Sequence, residues 1–335
     1  MHDNTEAGAP SPVRGEFTAN TWKNSIYVYG GCDINFENWM NDTWVFPIEE
    51  TNENSGNVAA YRLETTGQAP PGTCGHGAVV LGDRLYVYGG NGPHGATDAL
   101  HFLDLNTNKW AVVERDMYNK NQIWPPSRAL IQHAMTKSGP NKFIIVSGTS
   151  ANPKDDDSAY EFSVNDNAWR KLSQGMAGHQ QVGGSSAVSI DERIYVMGGY
   201  ENRSVIEDLY YLDIGKEENF RVVESKDGDT PGPLSFQGAL VFDKYMVVYG
   251  GFSLDAINGD VWVFSPDGKN GSWCKLRTTS TQPLPHFAGG WVSIKSSLYA
   301  FGGRINPTGY HEKLTSDLWR LDDIEATVKA ECKFL

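Results

Sequence analysis

The stretch IYVYGG at residues 26–31 returns as LYVYGG at 85–90, IYVMGG at 194–199, MVVYGG at 246–251 and LYAFGG at 298–303. A sixth copy, IIVSG at 144–148, carries serine where the others have their first glycine. Taking Gly30, Gly89, Ser147, Gly198, Gly250 and Gly302 as equivalent gives intervals of 59, 58, 51, 52 and 52 residues. Each copy runs apolar and aromatic side chains over one strand length, then stops at glycines that free the backbone for a tight bend. A fixed period near fifty residues means that one supersecondary unit recurs six times.

Working outward, each glycine-ended strand is preceded by another strand, such as HGAVVLGD from His76, SSAVSIDE from Ser185 or QGALVFDK from Gln237. A short polar turn joins the two as a hairpin. After a variable loop comes a third strand, opening at Asp42, Asp98, Ser158, Asp208, Asp260 or Asp317. A fourth, outer strand carries Trp110, Trp169, Phe220 or Trp273, with Tyr61 in the first unit. The fold class is therefore all-β, built of four-stranded antiparallel units. No unit buries both faces alone, so the six must close into a ring. The 36 glycines and 10 tryptophans suit that arrangement.

This grammar resembles the kelch family, and the likeness covers nearly the whole chain. It implies a six-bladed β-propeller, one domain over residues 1–335, with 1–13 a tail and 324–335 a C-terminal segment. Two departures stand out. The hairpin turn of unit three, 137–141, is one residue longer than the others, and no tryptophan follows Asp322 at the expected distance in unit six. The outer strand of that last blade is expected from the C-terminal segment, where 327–332 alternates. The N-terminal tail is the other source, and a short helix is the alternative for the C-terminal segment. The recurring Asp42, Asp98, Asp208, Asp260 and Asp317 read as architectural acceptors of backbone N–H groups rather than as a carboxylate ring.

Composition removes several function classes. A net charge of −13 with no Lys/Arg run excludes a nucleic-acid surface. No stretch approaches the ~18 apolar residues that span a bilayer. Met1–Pro10 is polar and holds no signal peptide, which makes the cytoplasm the default and secretion the alternative after removal of a leader. Asp155, Asp156 and Asp157 read as a solvated loop. No P-loop, dinucleotide loop, nucleophile elbow or HExxH is present, so no cofactor is expected. Cys32, Cys74, Cys274 and Cys332 form no CxxC, and no metal site is expected. They read as four buried thiols, with a Cys32–Cys74 bridge open on topology because both fall on one face in adjacent blades.

Loops joining second to third strands, and those joining one blade to the next, share one face. They are long and varied here, which is where a rigid scaffold carries recognition. In kelch substrate adaptors the mouth contacts come from two registers, just after the paired glycine and fourteen residues before it. Carried onto this chain, the first register implies Cys32, Asn91, Thr149, Tyr200, Phe252 and Arg304, with Asn202 and Asn306 just beyond. The second implies Glu16, Gly75, Gln132 (allowing for the extra hairpin residue of unit three), Gly184, Phe236 and Ala288. Only Arg304 among them is basic. Trp124, His286, Tyr310 and His311 fall on nearby loops.

Two functions follow. The first is a cofactor-independent isomerase, cyclase or lyase acting on a small organic molecule. Here His286, His311 and Glu16 would move protons, and Arg304, Asn306, Tyr200, Asn202, Phe236, Phe252, Gln132, Asn91, Cys32 and Trp124 would bind substrate. The second is a protein-interaction module using the same mouth, as most kelch propellers do. A monomer is expected in either case. His76 and His133, at equivalent strand starts, read as structural.

Overall fold

A computed structural model describes residues 13–48, 60–115, 129–152, 158–173, 175–176, 178–216, 219–226, 228–254, 256–277, 285–305 and 313–334. Six antiparallel blades follow one another around an axis. Blade one is Thr18–Trp22, Ser25–Tyr29, Thr43–Pro47 and Tyr61–Arg62. Blade four repeats this as Ser186–Ile190, Arg193–Met197, Leu209–Asp213 and Arg221–Val222. Blade three has its bulge between Lys137 and Gly139, at the longer hairpin turn seen in the sequence. Blades two and five each gain a short parallel fifth strand on the outer edge, Thr66–Gly67 and Glu224–Ser225.

Second strands are the most deeply buried because a sheet packs on each of their faces. Tyr86, Val87 and Tyr88 are each no more than 2% exposed. Apolar side chains of one blade interdigitate with those of the next, giving one buried cluster per seam. The paired glycines are needed where the seam is tightest. Gly198 sits at φ 62°, and a Cβ there would lie 2.1 Å from the Leu234 carbonyl oxygen of the next blade.

Three sequence expectations need correction. The segment expected to add an outer strand to blade six forms the helix Ile324–Glu331, capped by Asp323, whose carboxylate accepts from the Ala326 N–H. Alternation over 327–332 was the weaker signal. Ile324, Val328 and Cys332 are spaced by four on one helix face, and Ile324 and Val328 are buried in the seam between blades five and six. Blade six thus has Gly290–Ile294, Ser297–Ile305 and Lys313–Leu321, with His286–Phe287 pairing the mouth end of its long second strand.

The cysteines are not four thiols. Cys274 on the outer strand of blade five is disulfide-bonded to Cys332 beyond the helix, while Cys32 and Cys74 are free and buried. The recurring aspartates are architectural, but their carboxylates take side-chain donors. Asp42 accepts from Arg14 and from the Trp44 indole N–H, Asp208 from the Tyr210 hydroxyl, and Asp98 and Asp260 pair with Arg115 and Lys275. Among the described residues, no helix is long and apolar enough to cross a membrane.

Candidate functional site

The residues fourteen, or in unit three fifteen, before the first position of each glycine pair meet at the axis. The N–H of Glu16 donates to the Ala288 carbonyl at 3.0 Å, Gly75 to Glu16 at 2.9 Å and Gln132 to Gly75 at 2.6 Å. Gly184 donates to Gln132 at 2.9 Å, Phe236 to Gly184 at 2.7 Å and Ala288 to Phe236 at 3.0 Å, closing the circle. One residue from each blade thus forms a cyclic backbone belt around the channel. All six have φ between 53° and 69°. For Glu16, Gln132, Phe236 and Ala288 that left-handed conformation costs roughly 1 kcal/mol apiece. The belt hydrogen bonds offset it, and a strained ring of this kind marks a place where side chains are aimed for a purpose.

The post-glycine register lies against the belt on the mouth side. Cys32, Asn91, Thr149, Tyr200 and Phe252 form antiparallel bridges with Gly15, Cys74, Ile131, Gly183 and Ser235, and Arg304 pairs Phe287. The two sequence registers therefore interlock into one double ring.

Side chains of the ring fall into two sectors. Over blades six and one to three, the Glu16 carboxylate accepts from Gln132 Nε2 at 3.2 Å on each oxygen. Burial holds its pKa above the ordinary carboxylate value, against the opposing pull of Gln132 and the Arg304 guanidinium. Arg304, 7% exposed, stands 4.7 Å over the Phe36 ring. Over blades four to six the ring is aromatic, with Phe287 5.5 Å from Phe252 and 6.3 Å from Phe236. Asn91 opens the small hairpin Asn91–Gly92/Gly95–Ala96. Tyr200 opens another, Tyr200–Glu201/Ser204–Val205, with Asn202 and Arg203 at its turn in the left-handed region.

The His286 backbone pairs the mouth end of blade six, but its ring is turned into the seam. It is 2% exposed, stacked 4.7 Å from Trp291 and edge-on to Tyr249 in the seam between blades five and six. Its carbonyl accepts from the Gly251 N–H, as those of Leu130, Val182 and Leu234 do from Gly90, Gly148 and Gly199. It is a packing position that happens to hold histidine. His311, Asn306, Trp124 and Tyr310 lie outside the described residues. His76 and His133 are structural: each is buried against a tyrosine of the preceding blade, Tyr29 and Tyr88.

His179, on the loop between blades three and four, is held by two side-chain partners. His179 Nδ1 lies 2.7 Å from Glu201 and Nε2 lies 2.8 Å from the Tyr210 hydroxyl, tying a blade-to-blade loop to the Tyr200 hairpin. Burial and the neighbouring Asp208 push the Tyr210 hydroxyl up to about 12. Also outside the sequence expectation are the exposed apolar side chains on mouth-side loops, Phe36 and Leu254. Nothing in a repeat register singles them out, since they sit where the copies diverge. Among the described residues no cluster of three or more His, Cys, Asp or Glu has metal-binding geometry.

Comparison with known proteins agrees with this architecture. The chain is 25% identical over 275 residues to acyl-CoA-binding domain-containing protein 4 of Arabidopsis thaliana, covering 79% of this chain and 40% of that one. It is 24% identical over 314 residues to the host cell factor of Drosophila melanogaster, covering 85% and 20%. It is also 24% identical over 241 residues to human Kelch domain-containing protein 10, covering 68% and 50%. The chain thus spans half or less of the length of these relatives. The family model of the KLHDC2/KLHL20/DRC7 Kelch-repeats domain matches residues 2–131 and 132–327. With six registered blades and a family match along nearly its whole length, the chain belongs to the Kelch-repeat family.

Proposed function

We propose that this propeller is a protein-interaction module that receives its partner at the loop-bearing mouth. The observation that carries the reading is where exposed apolar side chains fall. Among the described residues Phe36, Tyr200 and Leu254 are 40%, 36% and 60% exposed on mouth-side loops and Val13 is 48% exposed just before the first blade, whereas Tyr61 and Val222, 48% and 47% exposed, stand apart from each other on outer strands. Large apolar groups offered to solvent on one face of a rigid scaffold, around a floor fixed by the backbone belt, suit the core of a protein interface. Polar groups at the rim, Asn91 and Asn202, would fix register. Of the residues expected to move protons in a small-molecule enzyme, His286 has its ring buried against Trp291 and Tyr249.

Selection of peptides from a random display library on the immobilised chain tests the proposal. The selected peptides are expected to lose about tenfold or more in affinity when Tyr200→Asp and Leu254→Asp are combined. Tyr61→Asp, on an outer strand away from the mouth, should leave affinity unchanged. Peptides indifferent to the mouth changes would defeat the reading. So would turnover of a small molecule that those changes abolish.

A further inference from the structure

Five blades end in an outer fourth strand, and blade six stops at its third. That third strand, Lys313–Leu321, pairs with Ser297–Ile305, and among the described residues no strand pairs its other edge. The third strand of every other blade holds at least three buried residues, whereas Lys313–Leu321 holds none. Such an edge offers backbone N–H and C=O groups that a further strand can join.

Blade three shows what a joining strand would bring. Trp169 of its outer strand stands opposite Phe162, which in turn stands opposite Phe143, and the indole meets both rings and Tyr88 of the preceding blade. By register the counterparts in blades five and six are Leu321 for Phe162, Leu298 for Phe143 and Tyr249 for Tyr88. All three line the pocket of about 50 Å³ of free space between those blades. The pocket is therefore what remains of a tryptophan socket after Ile324 and Val328 have filled part of it. The next position fixes a charge. Arg170 stands opposite Glu161 and its Nε donates to that carboxylate at 2.7 Å. The counterpart of Glu161 is Arg320, so a strand laid on blade six meets a cation where blade three presents an anion. Arg320 already pairs with Asp322, yet its side chain is 51% exposed and a guanidinium has donors for a second carboxylate. The segment after Leu321 is committed to the helix and to the Cys274–Cys332 bond, and residues 1–12 contain no Trp, Tyr or Phe.

We propose that the open edge of blade six is a second interaction surface, which takes an extended segment of a partner protein by strand addition. The segment carries an aromatic residue for the pocket, followed directly by Asp or Glu for Arg320. Backbone pairing with Lys313–Leu321 supplies affinity, and the pocket and the charge supply selectivity. This surface lies on the rim of the propeller and is independent of binding at the mouth.

The probe is a fluorescein-labelled peptide copying residues 165–172, the outer strand of blade three, with Arg170→Glu. It is titrated into the folded full chain. Trp169→Ala in the peptide should weaken binding about tenfold or more, and restoring Arg170 should weaken it about fivefold. In the Arg320→Glu chain that charge preference should invert. Ala300→Val, which adds two methyl groups at the pocket, should weaken the peptide about fivefold. Deuterium exchange should slow over 313–321 when the peptide binds, and over no other third strand. Absence of binding, protection of another blade or a charge preference that does not invert would overturn the proposal. So would exchange over 313–321 in the free chain as slow as over Leu209–Asp213, since the edge would then already be covered, by residues 1–12 or by a second copy. Tyr200→Asp combined with Leu254→Asp should leave this binding unchanged. Loss of the peptide with those changes would assign it to the mouth, against this proposal and in favour of the mouth as the interaction surface.

Discussion

The seam between blades two and three and the seam between blades five and six are built from the same strands and closed by different means. In the first, Trp169 of the outer strand, 3% exposed, packs 5.4 Å from Tyr88, 5.4 Å from Phe143 and 5.0 Å from Phe162. In the second, no outer-strand tryptophan exists. Its place is taken by Ile324 and Val328 of the C-terminal helix, held through the Cys274–Cys332 bond. The substitution is incomplete. A partly open pocket with about 50 Å³ of free space remains between the blades, lined by Tyr249, Val261, Trp291, Leu298, Ala300 and Trp319 among others. A ring of sheets thus tolerates one seam of different construction, provided a covalent link offsets what packing lacks.

The largest effect is expected where packing alone closes the seam. Trp169→Ala should cost about 3–5 kcal/mol, read as a fall in the urea midpoint, because a large ring with three aromatic neighbours leaves a void that cannot collapse. A cost below about 1 kcal/mol would show that the outer strand is not what holds blades two and three together. The bond at the other seam comes next. It closes a sequence separation of 58 residues, enough for up to about 4 kcal/mol on loop entropy alone. Cys274→Ser combined with Cys332→Ser should therefore cost about 2–4 kcal/mol. Loss of helical signal is expected as well, since the disulfide lies just beyond the last helical turn. If the double variant keeps both its midpoint and its helix, packing of Ile324 and Val328 suffices and the two seams are not different in kind.

The sequence made one of these seams readable and hid the other for a physical reason. Trp110, Trp169 and Trp273 recur 21 to 23 residues after the first position of the glycine pair, so their seams follow from the repeat, as does the belt of residues fourteen or fifteen before that position. The missing tryptophan after Asp322 announced that blade six differs, but its replacement is tertiary. The partner of Cys332 lies in another blade, and no local period connects them. The register of His286 marks it as a packing position. It stands sixteen residues before Gly302, as Val182 and Leu234 stand before Gly198 and Gly250. Residue chemistry drew the eye away from position. Phe36 and Leu254 had no register to betray them, because recognition loops are where the copies stop resembling one another.

Acid should discriminate among the seams. His76 lies between blades one and two, and burial lowers its pKa to about 4 from 6.5. Between those values the folded chain binds fewer protons than the unfolded one, so stability rises with pH across the window. It is lost as pH falls from 6.5 toward 4, by up to about 3 kcal/mol. Gln237 occupies the equivalent position in blade five, where it donates to the Met197 carbonyl at 2.8 Å without titrating. His76→Gln should accordingly flatten the urea midpoint between pH 6.5 and pH 4.5. An unchanged slope would place the acid sensitivity elsewhere.

The smallest effect is the sharpest test of the comparison, since it predicts opposite signs for one substitution. Ala300 borders the pocket between blades five and six, whereas Ala134, 5% exposed, is enclosed by the cluster of blades three and four. Valine suits a strand at both positions, so backbone preference does not separate them. At Ala300 the two added methyl groups enter this open space instead of packed atoms, and Ala300→Val should stabilise by up to about 1 kcal/mol. At Ala134 the same atoms meet packed neighbours, and Ala134→Val should cost about 1–3 kcal/mol. Two destabilised variants would mean that the seam at blade six is as tightly filled as the others, with the helix a full substitute for the absent tryptophan.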